Sequence, residues 1–243
     1  MTVLISMPDV STARRADPLR PLAHPVSLVI ASVVALCAVV GFGLFVAGSS
    51  GWSTSELGVD QWLSLRHSPV LDGIALTIAW LFDPAMAGVI VLVSAAVVGI
   101  VTRNPGRVLT LLGMIAVAWG GSEVLKRIVH LPRPDATLLA HPLLTEHSFS
   151  YPSGHTCFVV ALGAAVIFLV RDHRYRPVIT AVAILATVLV AVSRVYLGVH
   201  YPTDVAASIV YSVAASILAL VVWLRYVLPH FPAALRERPS RQV

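Results

Sequence analysis

Six stretches free of Asp, Glu, Lys and Arg, at about residues 26–48, 85–102, 108–122, 156–170, 177–192 and 205–224, run through this 243-residue chain. Each approaches the roughly 20 residues that a helix needs to cross the hydrocarbon of a bilayer. With 57% hydrophobic and 12% charged residues, the chain lies far from soluble domains, in which about a quarter of the residues are charged. The expected fold is therefore all-α: a polytopic membrane protein of about six transmembrane helices. Residues 70–82 form a shorter apolar segment that carries Asp72 and stops at Asp83-Pro84. It reads as an interfacial or half-length helix leading into the second span, with Pro84 at the bend.

Charge sets the expected orientation, because short cytoplasmic loops collect Lys and Arg. Of the 17 basic residues, twelve fall on alternate loops: Arg14, Arg15 and Arg20 before the first span, Arg103 and Arg107 between the second and third, Arg171, Arg174 and Arg176 between the fourth and fifth, and Arg225, Arg236, Arg238 and Arg241 after the sixth. Both termini of a multi-pass plasma-membrane protein are thus expected in the cytoplasm. Arg66, Lys126, Arg127, Arg133 and Arg194 remain for the outside. The net charge of +5 follows from this topology, so nucleic acid is not an expected partner, and no feature points to an obligate protein partner. The first span is longer than a signal-peptide core and is expected to be retained. Residues 1–24 and 229–243 are expected to be mobile cytoplasmic tails around a single transmembrane domain over 25–228. Cys37 and Cys157 lie in apolar runs, where packing is expected and a disulfide is not.

Three polar clusters abut the apolar runs: KRIVHLPRP over 126–134, PSGH over 152–155 and SRVYLGVHYPTD over 193–204. Ionisable residues at a membrane edge are costly enough to be functional candidates. With alternating spans, the end of the third, the start of the fourth and the turn between the fifth and sixth emerge on the same extracytoplasmic face, so the clusters can form one site. Cations, two histidines and a carboxylate are the inventory of phosphoryl chemistry without a metal. His130, His141, His147, Asp135 and Glu146 share the outer loop, but their spacing matches no compact ligand pattern. Neither a metal nor another cofactor is expected. Trp52, Trp62, Trp80 and Tyr201 are expected in an interfacial aromatic belt.

The pattern resembles the type 2 phosphatidic acid phosphatase (PAP2) superfamily: Lys126, six residues, Arg133-Pro134; then Pro152-Ser153-Gly154-His155; then Ser193-Arg194, five residues, His200, three residues, Asp204. The resemblance implies a PAP2-type helical core and an integral membrane lipid phosphatase. Its substrate would be a lipid phosphate or diphosphate in the bilayer, such as phosphatidate, phosphatidylglycerophosphate or undecaprenyl diphosphate. With a helix starting near Pro202, Asp204 reaches back to His200, holds the tautomer that leaves Nε2 free to attack, and stabilises the positive ring that forms. His200 is expected to become a phosphohistidine, as the resemblance also implies. Ser153, Gly154 and His155 lie at a helix start, where N–H groups and the dipole favour an anion. Ser153 and the Gly154 amide are expected to bind phosphate, and His155 to act as general acid, gaining its proton chiefly in the substrate complex. Lys126, Arg133 and Arg194 are expected to neutralise the equatorial oxygens. Glu123, one turn before Lys126, either aims Lys126 or forms a plain ion pair with it or with Arg127.

Three alternatives stand beside this reading. A phosphotransferase would use the same intermediate. Soluble relatives with these motifs are vanadate haloperoxidases or acid phosphatases, an architecture that the apolar spans oppose. A non-catalytic lipid-binding or transport protein would keep its ligand when His200 is lost.

Overall fold

Residues 19–20 and 22–232 are described by the computed structural model. Among them the chain forms nine α-helices and no strand: α1 (Pro25–Ala47), α2 (Ser50–Ser64), α3 (Pro69–Leu81), α4 (Pro84–Thr102), α5 (Pro105–Ile115), α6 (Gly121–Val129), α7 (Gly154–Leu169), α8 (Arg176–Tyr196) and α9 (Pro202–Val222). Proline stands at the first or second position of α1, α3, α4, α5, α8 and α9. Its fixed φ suits a helix there, and the N–H it lacks would have had no intrahelical partner. Ser68, Asp83 and Asn104 cap α3, α4 and α5 by accepting the amides of Leu71, Ala85 and Arg107, as short polar side chains do at helix starts. The break expected at Asp83-Pro84 is therefore a cap that ends one helix and begins the next.

Among the described residues, five segments are long and apolar enough to cross a membrane: α1, α4, α5 continuing into α6, α8, and α9 with its extension to His230. The sixth expected span is α7, which has only 16 residues, or about 24 Å. It is enclosed by α5, α6, α8 and α9, and every residue from Thr156 to Ala161 is buried. A helix surrounded by protein need not match the thickness of the hydrocarbon. On α4, by contrast, Leu92, Ile100 and Val101 are at least 70% exposed, an apolar face of the kind that meets lipid. α9 is the hub, touching α1, α5, α7 and α8. Its buried residues include Ala207, Ser208, Ser212, Ala214, Ala215 and Ser216, small enough for neighbouring backbones to approach closely.

The third span is not a plain α-helix. Between α5 and α6 lies a π turn, Ala116–Gly120, where the Ser122 hydroxyl donates to the Trp119 carbonyl at 2.6 Å. The wider turn changes the phase of the helix beyond it, and α6 buries Lys126 while leaving the Glu123 side chain half exposed. At the other end of the site, Gly198 adopts φ +65° between α8 and α9, and a Cβ there would collide with Leu139. Glycine alone carries the chain round that turn from Arg194 to His200.

Several expectations change. The sequence reading contains no α2, because this helix is inverted: Asp60 and Ser64 are buried while Val59 and Trp62 are exposed, so an apolar stripe does not mark its protein face. Trp52, Trp62 and Trp80 are exposed as a belt requires, but Tyr201 is buried in the core against α1 and α6 residues. Cys157 is buried, whereas Cys37 is exposed and packs against no core; both are free thiols. Most of both expected tails lies outside the described residues, yet the end of the first is docked: Leu19 is buried in the core cluster that also holds Leu111 and Leu224, and Arg20 pairs with Asp172 at 3.0 Å.

Candidate active site

The helix order brings all three clusters to one end of the bundle. Lys126 closes α6, His155 opens α7, Arg194 closes α8, and His200 and Asp204 flank the start of α9. Around them lies a cavity of about 990 Å³ lined by Lys126, Arg133, Gly154, His155, Arg194 and His200. Its other wall is apolar, with Leu76, Ala79, Trp80 and Phe82 from α3 and its C-terminal end, and Trp119 from the π turn.

His200 is fully buried and held from both sides. Asp204 Oδ2 lies 3.4 Å from its Nδ1, and Arg133 Nη1 lies 3.0 Å from its Nε2. A guanidinium only donates, so Nε2 is the bare nitrogen and the proton sits on Nδ1, facing the carboxylate. Burial, and then Arg133, Arg194 and Lys126, hold the imidazole well below its ordinary pKa. The ring is therefore the neutral tautomer, and its Nε2 lone pair accepts from Arg133. Asp204 Oδ2 also accepts the Tyr201 amide at 2.9 Å and the Ser150 hydroxyl. A carboxylate with these partners is fixed before any reaction begins.

The cations are equally constrained. Arg133 donates to the Ser148 carbonyl and hydroxyl, each at 2.8 Å, and to the Val199 carbonyl at 2.7 Å. Arg194 is fully buried, and its Nε and Nη1 have no hydrogen-bond partner. Its Nη2 meets Glu146 Oε1, and Glu146 Oε2 lies 2.7 Å from Arg133 Nη2. One carboxylate thus bridges both arginines. Burial opposes the ionisation of Glu146, but Arg194 and Arg133 outweigh it and hold the carboxyl below its ordinary range. Lys126 Nζ lies 3.0 Å from Glu123 Oε1, so the pair expected on α6 forms with Lys126.

At the start of α7, Gly154 and His155 face the cavity but Ser153 stands behind it. The Ser153 amide donates to Ser208 Oγ at 2.8 Å, and its own Oγ accepts from Thr156 at 3.2 Å. Ser153 therefore pins α7 to α9 and does not line the space its neighbours line. A Cβ on Gly154 would lie 3.5 Å from Lys126 Nζ, in the gap between the ammonium and the helix start. His155 Nε2 is 3.1 Å from the Ala79 carbonyl, which places a proton on Nε2 and leaves Nδ1 as the other ring nitrogen.

Four residues of this constellation escaped the sequence reading in these roles. In the sequence Glu146 stands only among the outer-loop metal-ligand candidates, and Ser150 and Ser208 carry no spacing signal. Glu56 comes from α2: its carboxylate accepts the Thr203 amide at 2.9 Å and the Thr203 hydroxyl at 2.6 Å, capping α9 one residue before Asp204. One turn further along α2, Asp60 is buried with neither oxygen hydrogen-bonded. Burial, with Asp204 and Glu56 nearby, pushes its carboxyl up to about 8. The outer-loop residues considered as metal ligands are dispersed: His130 packs edge-on against Phe149, and Asp135 caps the turn at Thr137. Among the described residues, no three His, Cys, Asp or Glu side chains converge.

Known proteins resemble this chain in sequence and fold. Phosphatidylglycerophosphatase B of Bacillus subtilis is 36% identical over 89 residues, covering 35% of this chain and 42% of the relative. Undecaprenyl-diphosphatase of Sulfolobus acidocaldarius is 37% identical over 110 residues, covering 44% of this chain and 49% of the relative. The chain thus spans less than half the length of either. The crystal structure of a transmembrane PAP2-type phosphatidylglycerolphosphate phosphatase from Bacillus subtilis superposes with a TM-score of 0.65 at 24% identity, over 87% of this chain and 100% of that one, which establishes the fold. The sequence profile of the PAP2 superfamily matches residues 107–227, the part of the chain that contains all three motifs, and through them this multi-pass membrane protein belongs to the PAP2 superfamily.

Proposed function

We propose that the chain hydrolyses the terminal phosphate of a lipid phosphate or diphosphate at the extracytoplasmic face of the membrane, through a phosphohistidine on His200. The observation that carries this reading is the placement of His200 in the cavity wall, with its Nε2 beside Arg133 and its Nδ1 toward Asp204. Attack by Nε2 on phosphorus, once Arg133 has turned from that nitrogen to the phosphate oxygens, would place a positive charge on the ring next to that carboxylate. Arg133, Arg194 and Lys126 would meet the transferring oxygens, and electrostatic stabilisation of this kind carries most of phosphoryl-transfer catalysis. His155, with Nε2–H held by the Ala79 carbonyl, would take a second proton on Nδ1 in the substrate complex and give that proton to the departing lipid oxygen. Hydrolysis of the phosphohistidine by water then releases inorganic phosphate.

The apolar wall formed by Leu76, Trp80 and Phe82 supports a lipid substrate, because the chain next to a headgroup would meet hydrocarbon there. The two relatives differ in the substrates their names carry, so the headgroup is left to experiment. The orientation rests on charge: the opposite end of the bundle carries Arg20, Arg103, Arg107, Arg171, Arg174, Arg176 and Arg225, as a cytoplasmic face would. Residues 25–228 would act as one membrane domain. The test is phosphate release in EDTA from phosphatidate, phosphatidylglycerophosphate, undecaprenyl diphosphate and a soluble sugar phosphate, with His200→Ala alongside. Metal-free release that the variant lacks supports the reading. Equal release by the variant, or none from any substrate, overturns it.

A further inference from the structure

The two arginines assigned to phosphate already hold an anion, and it belongs to the protein. Glu146 lies on the long segment between α6 and α7, lines the cavity, and places one carboxylate oxygen on Arg133 and the other on Arg194. A carboxylate bridging two guanidiniums makes the same charge-assisted contacts that two phosphate oxygens make. Arg194 meanwhile keeps Nε and Nη1 without partners although it is fully buried. Its donor set is larger than Glu146 uses, which points to a ligand with more oxygens than a carboxylate. The Glu146 side chain is about a quarter exposed, at 23%, and it is not enclosed as Asp204 is.

We infer that Glu146 is a tethered competitor for the phosphate site: an arriving phosphate displaces it from Arg133 and Arg194, and its return helps to expel inorganic phosphate. The inference deepens the phosphatase reading and rests on it for the identity of the ligand. Free energy makes its signature specific. Displacing Glu146 breaks the same contacts whatever anion replaces it, so the internal competitor weakens substrate, product and inhibitor by one common factor. Such a uniform effect raises KM and the inhibition constant for phosphate together and leaves the chemical step alone. It also protects the pair in the free enzyme, because neither buried guanidinium stands without a counter-charge.

The experiment is calorimetric binding of inorganic phosphate and of orthovanadate to the full chain in detergent micelles at pH 8, for the natural protein, Glu146→Gln and Glu146→Asp. Glu146→Gln is expected to tighten both ligands by about tenfold or more and by the same factor within twofold, with Glu146→Asp between. A residue that only staples the loop predicts a lower melting temperature with unchanged or weaker binding, and that result overturns the inference. So does a gain for one anion without the other. If no protein binds either anion, the phosphate-site reading falls with the inference. If the common tightening is seen but no lipid phosphate is hydrolysed, the inference stands and the hydrolase reading falls.

Discussion

Replacing Asp204 with Asn keeps the size of the side chain and removes its charge. Asn retains an oxygen for the Tyr201 amide and the Ser150 hydroxyl, so α9 should still be capped and the fold retained. What disappears is the negative charge 3.4 Å from His200 Nδ1. When Nε2 attacks phosphorus, the ring passes from neutral to positive. At an effective dielectric of about 20 this charge pair is worth about 5 kcal/mol. A half-developed charge in the transition state would draw about half of that. With about 1.4 kcal/mol per factor of ten, Asp204→Asn should lower kcat by roughly 10²- to 10⁴-fold. The assay is twofold: steady-state phosphate release, and rapid-quench trapping of the acid-labile phosphoenzyme from a ³²P-labelled lipid. The trapped species should form more slowly by a comparable factor. A variant that melts like the natural protein yet keeps kcat within threefold would falsify the idea that His200 becomes cationic beside Asp204.

Glu56→Ala removes the only side chain from α2 that hydrogen-bonds the start of α9 among the contacts of Thr203; hydrogen bonds to a charged group contribute about 1.5–3 kcal/mol. We expect kcat to fall about tenfold with a smaller change in KM, and Glu56→Gln, which keeps an acceptor for the Thr203 amide, to recover most of the loss; equal effects of the two variants would show that Glu56 does not position this turn. Asp60, raised from an ordinary 3.8 to about 8, binds a proton on folding. Its contribution to stability is present below about pH 4 and is lost as the pH rises through 8. The stability advantage of Asp60→Asn over the natural protein should therefore widen between pH 5 and 8, by at most about 1.4 kcal/mol per unit, and level off above. A pH-independent gap in melting experiments would mean that Asp60 ionises normally. Glu123→Gln should change kcat/KM by less than about threefold, because a half-exposed ion pair contributes little; a loss above tenfold would make Glu123 an essential guide for Lys126.

Much of the molecule is legible in one dimension because a bilayer imposes one-dimensional rules. Hydrocarbon thickness sets the length of a span, and the cost of burying charge confines polar residues to its ends, so the apolar runs, the prolines that open helices and the end at which His200, His155 and Lys126 lie can be read from residue order. The pairing of His200 with Asp204 is local, four residues apart across a helix start, and it too follows from spacing. The short α7 departs from the rule because protein encloses it, and α2 is unreadable because its buried face is polar. Glu146 and Ser150 reach the site from a long irregular segment whose path no periodicity describes. Ser153 carries the expected residue type at the expected position, yet its backbone is held by Ser208 and its hydroxyl accepts from Thr156, behind the cavity. The membrane class, the span positions and the polar clusters at the span ends follow from residue order, since these depend on solvent and local geometry. Which anion faces the two arginines, which nitrogen of His200 meets Arg133 and which helix braces α9 emerge on folding alone, because those are contacts between residues distant in the chain.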